Sequence, residues 1–201
     1  MRGAVLYGPR DVRIDERPDP TIIEPTDAVI RLSATCICGS DLWPYRGLNA
    51  ATEPAAMGHE YCGIVEEVGR AVTSIKPGQF VIGSFAASDN TCPHCQAGYQ
   101  TSCAHRQWVV GAQAPFLRVP LADGTLVATP EPPSSSQVPS FLAVSDVLGT
   151  GWFAADAANV KPGATVVVVG DGAVGLLGVL SAKRPGYRSR WKHRISRAAS
   201  Y

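Results

Sequence analysis

The sequence predicts two unlike parts in one chain: a barrel or partly open all-β part, then the first strand, turn and helix of a parallel α/β sheet. Three observations carry this. The first half is a series of short apolar or alternating runs with Gly or Pro at their ends and no regular helical period between them. A linker follows, Thr129 to Pro139, with four prolines and three serines. Beyond it the valine run Thr165–Val169 ends in Gly170-x-Gly172-x-x-Gly175, a buried-strand pattern closed by a glycine turn.

Taken in order, the expected strands are Arg2–Leu6, Val12–Ile14, Ala28–Ala34, Tyr61–Val68 and Phe80–Gly83. Thr73–Gln79 contains Pro77-Gly78 and reads as a turn. Phe141–Ala158 has helical apolar spacing and small residues, and Lys161-Pro162-Gly163 is a second turn. Thr165–Val169 is expected as a buried strand and Leu176–Ala182 as the helix after the glycine turn. A second parallel strand belongs some ten residues later, but Arg184–Arg194 is too basic for a buried central strand. The expected division is therefore 1–140, 141–183 and a basic tail at 184–201, disordered or the product of a frameshift, which leaves the α/β part incomplete.

The 201 residues are 45% apolar and 17% charged, enough to bury a core, and the net charge is +1. That balance excludes a strongly basic nucleic-acid binder and an enzyme built for acidic substrates. Seven of the 18 basic residues lie from Lys183 onward, so the first 182 residues carry 11 basic against 17 acidic. Ala4–Tyr7 is too short for a signal-peptide core, and the longest apolar stretch, Gly172–Ala182, falls short of the ~20 residues a membrane span needs. The expectation is a cytoplasmic protein with no membrane partner. In that compartment six cysteines are thiolate ligands or buried thiols rather than disulfides.

Asp89-x2-Cys92-x2-Cys95-x7-Cys103 has the short spacings that bring two ligands to one ion from a tight knuckle, with a longer loop supplying the last. Asp89 stands where that rhythm calls for a ligand, and its oxygen is harder than sulfur. His94 reads as a surface residue. With all four ligands in one loop and no open position, the site is structural. A second constellation is dispersed: Cys38 in Cys38-Gly39-Ser40-Asp41, then Gly58-His59-Glu60, then Asp146. Distant ligands suit a catalytic zinc at a cleft with one exchangeable position. On spacing alone Cys36 and Cys62 are as available as Cys38. The glycine turn, between a strand and a helix, suits a pyrophosphate facing backbone N–H groups and the helix dipole.

Together these residues resemble the zinc-containing medium-chain alcohol dehydrogenases. Gly58-His59-Glu60-x2-Gly63-x5-Gly69-x2-Val72 matches that family's zinc signature at every position. Cys38–Asp41, the cysteine loop, Asp146-x3-Thr150-Gly151 and the glycine turn follow in the family's order, so the resemblance covers residues 1–183. It implies a GroES-like β-barrel catalytic domain followed by the opening of a Rossmann domain. It also implies catalytic zinc on Cys38, His59 and Asp146, structural zinc on Asp89, Cys92, Cys95 and Cys103, and NAD or NADP as the hydride carrier. Glu60 would stand behind the catalytic metal, Asp41 would orient His59, and Ser40 would receive the substrate hydroxyl and begin a proton relay. Thr150 would touch the cofactor near the nicotinamide, with Gly170, Gly172, Ala173, Val174 and Gly175 under the pyrophosphate. The implied substrate is a small alcohol or aldehyde, and the implied assembly a homo-oligomer in full-length relatives.

Three departures from the family pattern stand out. Trp43 occupies the place where many members have a histidine ending the relay, so the proton leaves by water or another group. Asp89 replaces the first cysteine of the structural site. The rest of the nucleotide sheet and the returning catalytic segment do not follow the glycine turn, so the resemblance implies an impaired or inactive enzyme in this form. The rival reading is a non-catalytic zinc module whose basic tail holds an acidic partner; salt-sensitive binding would mark it.

Overall fold

Short apolar or alternating runs build the first half into antiparallel strands. The computed structural model describes residues 1–49 and 53–183; the basic tail read at 184–201 lies outside the described residues. The elements are β1 (Arg2–Gly8), β2 (Asp11–Glu16), β3 (Ala28–Thr35), a 3-10 turn (Gly39–Asp41), α1 (Leu42–Tyr45), β4 (Ala55–Ala56), β5 (Tyr61–Val68), β6 (Phe80–Gly83) and β7 (Ala86–Ala87). There follow α2 (Pro93–Gln96), a 3-10 turn (Gln100–Ser102), β8 (Gln107–Trp108), β9 (Phe116–Val119), α3 (Ala122–Thr125) and β10 (Leu126–Ala128). All five expected strands are present.

Five strands form the main sheet in the order β10-β6-β5-β3-β9, beside a three-stranded sheet β2-β1-β4 and the short pair β7-β8. Along β5 the two faces alternate. Tyr61 and Val65 enter the main core with Ile30, Val81, Leu117, Val119 and Leu126. Cys62 and Ile64 enter a second cluster with Phe80 and Ile82. This is the alternation of successive side chains across a strand. Each fully buried large apolar side chain contributes about 1.5–3 kcal/mol. The β3–β5 register shifts at Val29/Ile30 and at Leu32/Ala34, and such bulges bend a strand and raise its twist.

The strands missing from the sequence reading are the short ones. β7 and β8 exist through two partners, Ala86 opposite Trp108 and Ala87 opposite Gln107, and alanine has little strand preference of its own. Asp27, fully buried at the foot of β3, accepts the N–H groups of Ile23 and Glu24 and an Arg118 Nε contact at 2.6 Å, all on Oδ2. Its Oδ1 is buried without a hydrogen-bond partner among the described residues.

The chain divides into two compact units, Met1–Ser145 and Asp146–Tyr201. The helix expected over Phe141–Ala158 is instead two, α4 (Val138–Val144) and α5 (Val147–Ala157), broken where Asp146 leaves helical backbone at φ −144° and ψ −68°. In the first unit α4 lays Val138, Phe141 and Leu142 over Phe80, Cys62 and Ile82, closing the outer face of the sheet. In the second unit α5 packs on α6 (Ala173–Ala182). The buried strand expected at Thr165–Val169 is corrected: the segment has no ladder partner among the described residues, and Val167 and Val169 are 83% and 94% exposed. A strand needs a neighbour for its N–H and C=O groups, and a valine run cannot supply one. Among the described residues no single helix is long and apolar enough to cross a membrane.

Candidate functional site

Cys38, His59 and Glu60 converge in the first unit. Cys38 precedes the 3-10 turn Gly39–Asp41, while His59 and Glu60 lead into β5. The side chains offer one ligand atom each, within 4.8 Å of one another. Asp41 serves two of these residues at once: its Oδ2 accepts the Cys38 N–H at 2.9 Å, and its Oδ1 lies 3.2 Å from His59 Nδ1. An Nδ1–H donated to Asp41 leaves Nε2 with the lone pair that binds metals. Gly58 makes the approach to His59 possible. Its φ is +90°, and a Cβ there would sit 2.6 Å from Gln113 Cγ. Its carbonyl accepts the N–H groups of Gly111 and Ala112, which anchors the residue before the ligand.

The structure separates the three cysteines that spacing left equivalent. Cys62 is fully buried among Phe80 and Ile82 on the opposite face of β5, and burial pushes its thiol up to about 11. The Cys36 thiol donates to Glu60 Oε2 at 3.0 Å; burial, then that carboxylate, pushes it up to about 12. Cys38 is the cysteine beside His59. The ring of Phe85 stands edge-on to His59 with centroids 5.8 Å apart and stacks in parallel on Trp108, which in turn carries the Arg106 guanidinium. Ser40 is exposed on the 3-10 turn, and Trp43 is 57% exposed on α1.

The cysteine loop gathers the second set. One ligand atom from each of Asp89, Cys92, Cys95 and Cys103 lies within 4.8 Å of the others, and the three sulfurs are buried. Cys92 Sγ and Cys103 Sγ are 3.9 Å apart. A tetrahedral ion with Zn–S bonds of about 2.3 Å has an S···S edge of about 3.8 Å, so the donor set fits zinc. The backbone N–H groups of Ala104 and Cys95 pull the Cys92 thiol down, whereas burial and the neighbouring sulfurs push Cys95 up. His94 is exposed with Nδ1 against the Ser102 carbonyl, away from the cluster.

His105 is the residue the sequence reading missed. Its Nδ1 lies 2.5 Å from Asp89 Oδ2, while Asp89 Oδ1 accepts the N–H groups of Thr91 and Cys92. These partners, His105 foremost, hold the Asp89 carboxyl far below the usual range, and the same carboxylate raises His105. A histidine two residues after the last cysteine was the available signal.

In the second unit Asp146 caps α5, and Thr150 donates its hydroxyl to Asp146 Oδ1 at 3.0 Å. The glycine turn forms as expected. Gly170 takes φ +117°, and a Cβ on Gly175 would sit 2.2 Å from the Gly170 carbonyl. Gly172 caps α6, so Ala173, Val174 and Gly175 form the helix's first turn.

Residues 24–131 match the alcohol dehydrogenase GroES-like domain. The chain belongs to that family. It is 38% identical to a medium-chain reductase/dehydrogenase of an Acremonium species, over 94% of this chain and 68% of the relative. It is 36% identical to zinc-type alcohol dehydrogenase B of Aspergillus flavus, over 90% of this chain and 44% of that one. Among solved structures it is similar to the alcohol dehydrogenase of Thermus sp. ATN1, with a TM-score of 0.84 and 32% identity, over 94% of this chain and 56% of that one. The chain thus spans between about half and two thirds of the relatives it matches. The five-stranded sheet built on β3, β5 and β6 lies within the residues that match the GroES-like domain.

Proposed function

We propose that the chain provides the metal-binding half and the pyrophosphate turn of a zinc-dependent oxidoreductase interconverting an alcohol and an aldehyde or ketone with NAD or NADP. The observation that carries this is the meeting of Cys38, His59 and Glu60, with Asp41 behind two of them. A thiolate, an imidazole and carboxylates are a fitting zinc donor set, and carboxylate-backed histidine is the usual support for such a ligand. Asp146 is the proposed third ligand with Cys38 and His59, and the Thr150 hydroxyl holds its carboxylate.

A zinc ion held by this set would supply the Lewis acidity that acidifies an alcohol, and a bound NAD or NADP would supply the hydride acceptor. Asp41 keeps His59 in one tautomer and one orientation, so the ligand geometry does not relax while the substrate exchanges. Ser40 accepts the hydrogen bond of the substrate hydroxyl and passes its proton to water, since Trp43 offers no base. Phe85 screens the His59 side of the site from water. The first turn of α6 presents N–H groups and its dipole to the pyrophosphate. Asp89, Cys92, Cys95 and Cys103 would hold a second zinc, whose binding would stiffen their loop.

Among the described residues the segment Thr165–Val169 has no ladder partner and supplies no sheet edge for a nucleotide, so weak NAD(P) binding and slow turnover are expected of these 201 residues. Metal analysis of the purified chain tests the reading. The expected result is one zinc lost with Cys38→Ser or His59→Ala and another lost with Cys95→Ser. Full zinc content in Cys38→Ser refutes the catalytic assignment.

A further inference from the structure

Cys36 has no part in the ligand set above, yet it is the side chain that faces Glu60. Glu60 is 2% exposed, and its carboxylate has the Cys36 thiol, 3.0 Å from Oε2, as its hydrogen-bond partner among the described residues. A buried carboxylate with a single weak neutral donor is poorly compensated. It is drawn toward any cation placed beside it, and within the first unit its neighbours at ligand distance are Cys38 and His59. The contact itself is firmly built. Thr35, paired with Tyr61 in the β3–β5 ladder, donates its hydroxyl to the Glu60 carbonyl at 2.9 Å. The Gln113 amide donates to the Cys36 carbonyl at 3.4 Å. Both partners are therefore held from their own backbones at the open end of one strand pair. In this contact the Cys36 sulfur is the donor and Glu60 Oε2 the acceptor, so the side chain is turned to the carboxylate.

We propose that Cys36 is a positioning residue, its S–H tethering Glu60 beside the metal site and so setting how readily that carboxylate joins the ligand shell. The proposal rests on the reading of Cys38 and His59 as metal ligands. With the tether in place Glu60 stays next to a metal held by Cys38 and His59 without bonding to it, and a coordination position stays open for substrate. Without the tether the carboxylate finds its only strong partner in the metal and closes that position.

The test uses the full chain loaded with Co²⁺, read as difference spectra against Cys38→Ser. Cys36→Ala is expected to weaken and shift the d–d bands as the coordination number rises, and to slow metal release to a chelator about tenfold, the scale of outer-shell effects. Cys36→Ser restores a donor and is expected to keep the wild-type spectrum. Glu60→Gln added to Cys36→Ala is expected to reverse the change. Unchanged bands and release in Cys36→Ala overturn the proposal, as does a change that persists in the double variant. An unmoved spectrum in Cys38→Ser instead overturns the metal-centre reading, which keeps the two failures distinct. Should Cys36→Ala not fold, the infrared S–H stretch of the metal-free chain serves: it is expected to rise in frequency in Glu60→Gln, and a fixed frequency refutes the tether.

Discussion

Replacing Asp41 should loosen the metal held by Cys38 and His59, in steps that count its two contacts. Oδ2 fixes the Cys38 backbone at 2.9 Å and Oδ1 fixes the His59 ring at 3.2 Å. Loss of one outer-shell partner typically costs 10–100-fold in metal affinity. Asp41→Asn retains one acceptor oxygen and turns the other into a donor that can only repel the N–H it meets. About a tenfold loss follows, ~1.4 kcal/mol. Asp41→Ala removes both contacts and frees both ligands, so about 100-fold is expected, ~2.7 kcal/mol. The assay is zinc transfer to a chromophoric chelator, followed as two phases. The phase from the cysteine loop is the internal control, because Asp41 touches none of its ligands. Rates within twofold of wild type in both variants, with the control phase intact, would refute the claim that Asp41 organises the site.

Two further outcomes concern stability. Arg118→Ala strands the fully buried Asp27 carboxylate, and removing one member of a buried pair costs about 3–5 kcal/mol. Arg118 is 26% exposed, so the low end, about 3 kcal/mol, is expected from urea unfolding, and a loss below 1 kcal/mol would contradict it. Asp123 is pushed up by burial but pulled further down by the N–H and hydroxyl groups of Ser74 and Thr73, leaving its carboxyl below the ordinary range. A depressed folded-state pKa adds stability above the unfolded value of about 3.9 and loses it as pH falls through the folded one. Asp123→Asn should therefore lower the melting temperature at pH 7, with the gap from wild type narrowing as pH falls below about 3.9; a gap that stays constant through the acid range would show that the charge is not the cause.

Much of the site was legible because its parts are local. The two-residue spacings of Asp89, Cys92 and Cys95 fold into a knuckle whatever surrounds them, and the turn from Gly170 to Gly175 needs only its own backbone. Short apolar or alternating runs bounded by Gly or Pro likewise marked β1, β2, β3, β5 and β6. Choosing among Cys36, Cys38 and Cys62 was a different matter. Cys62 is excluded by the parity of β5, which turns it toward Phe80, and Cys36 by the carboxylate it meets across the β3–β5 pair. The His105–Asp89 contact closes across sixteen residues, and β7–β8 across twenty, so the folded backbone decides which segments meet. The valine run at Thr165–Val169 shows the converse. Its composition states a preference for a sheet, but a strand is a relation between two segments, and hydrogen-bonding partners are decided only when the chain is folded.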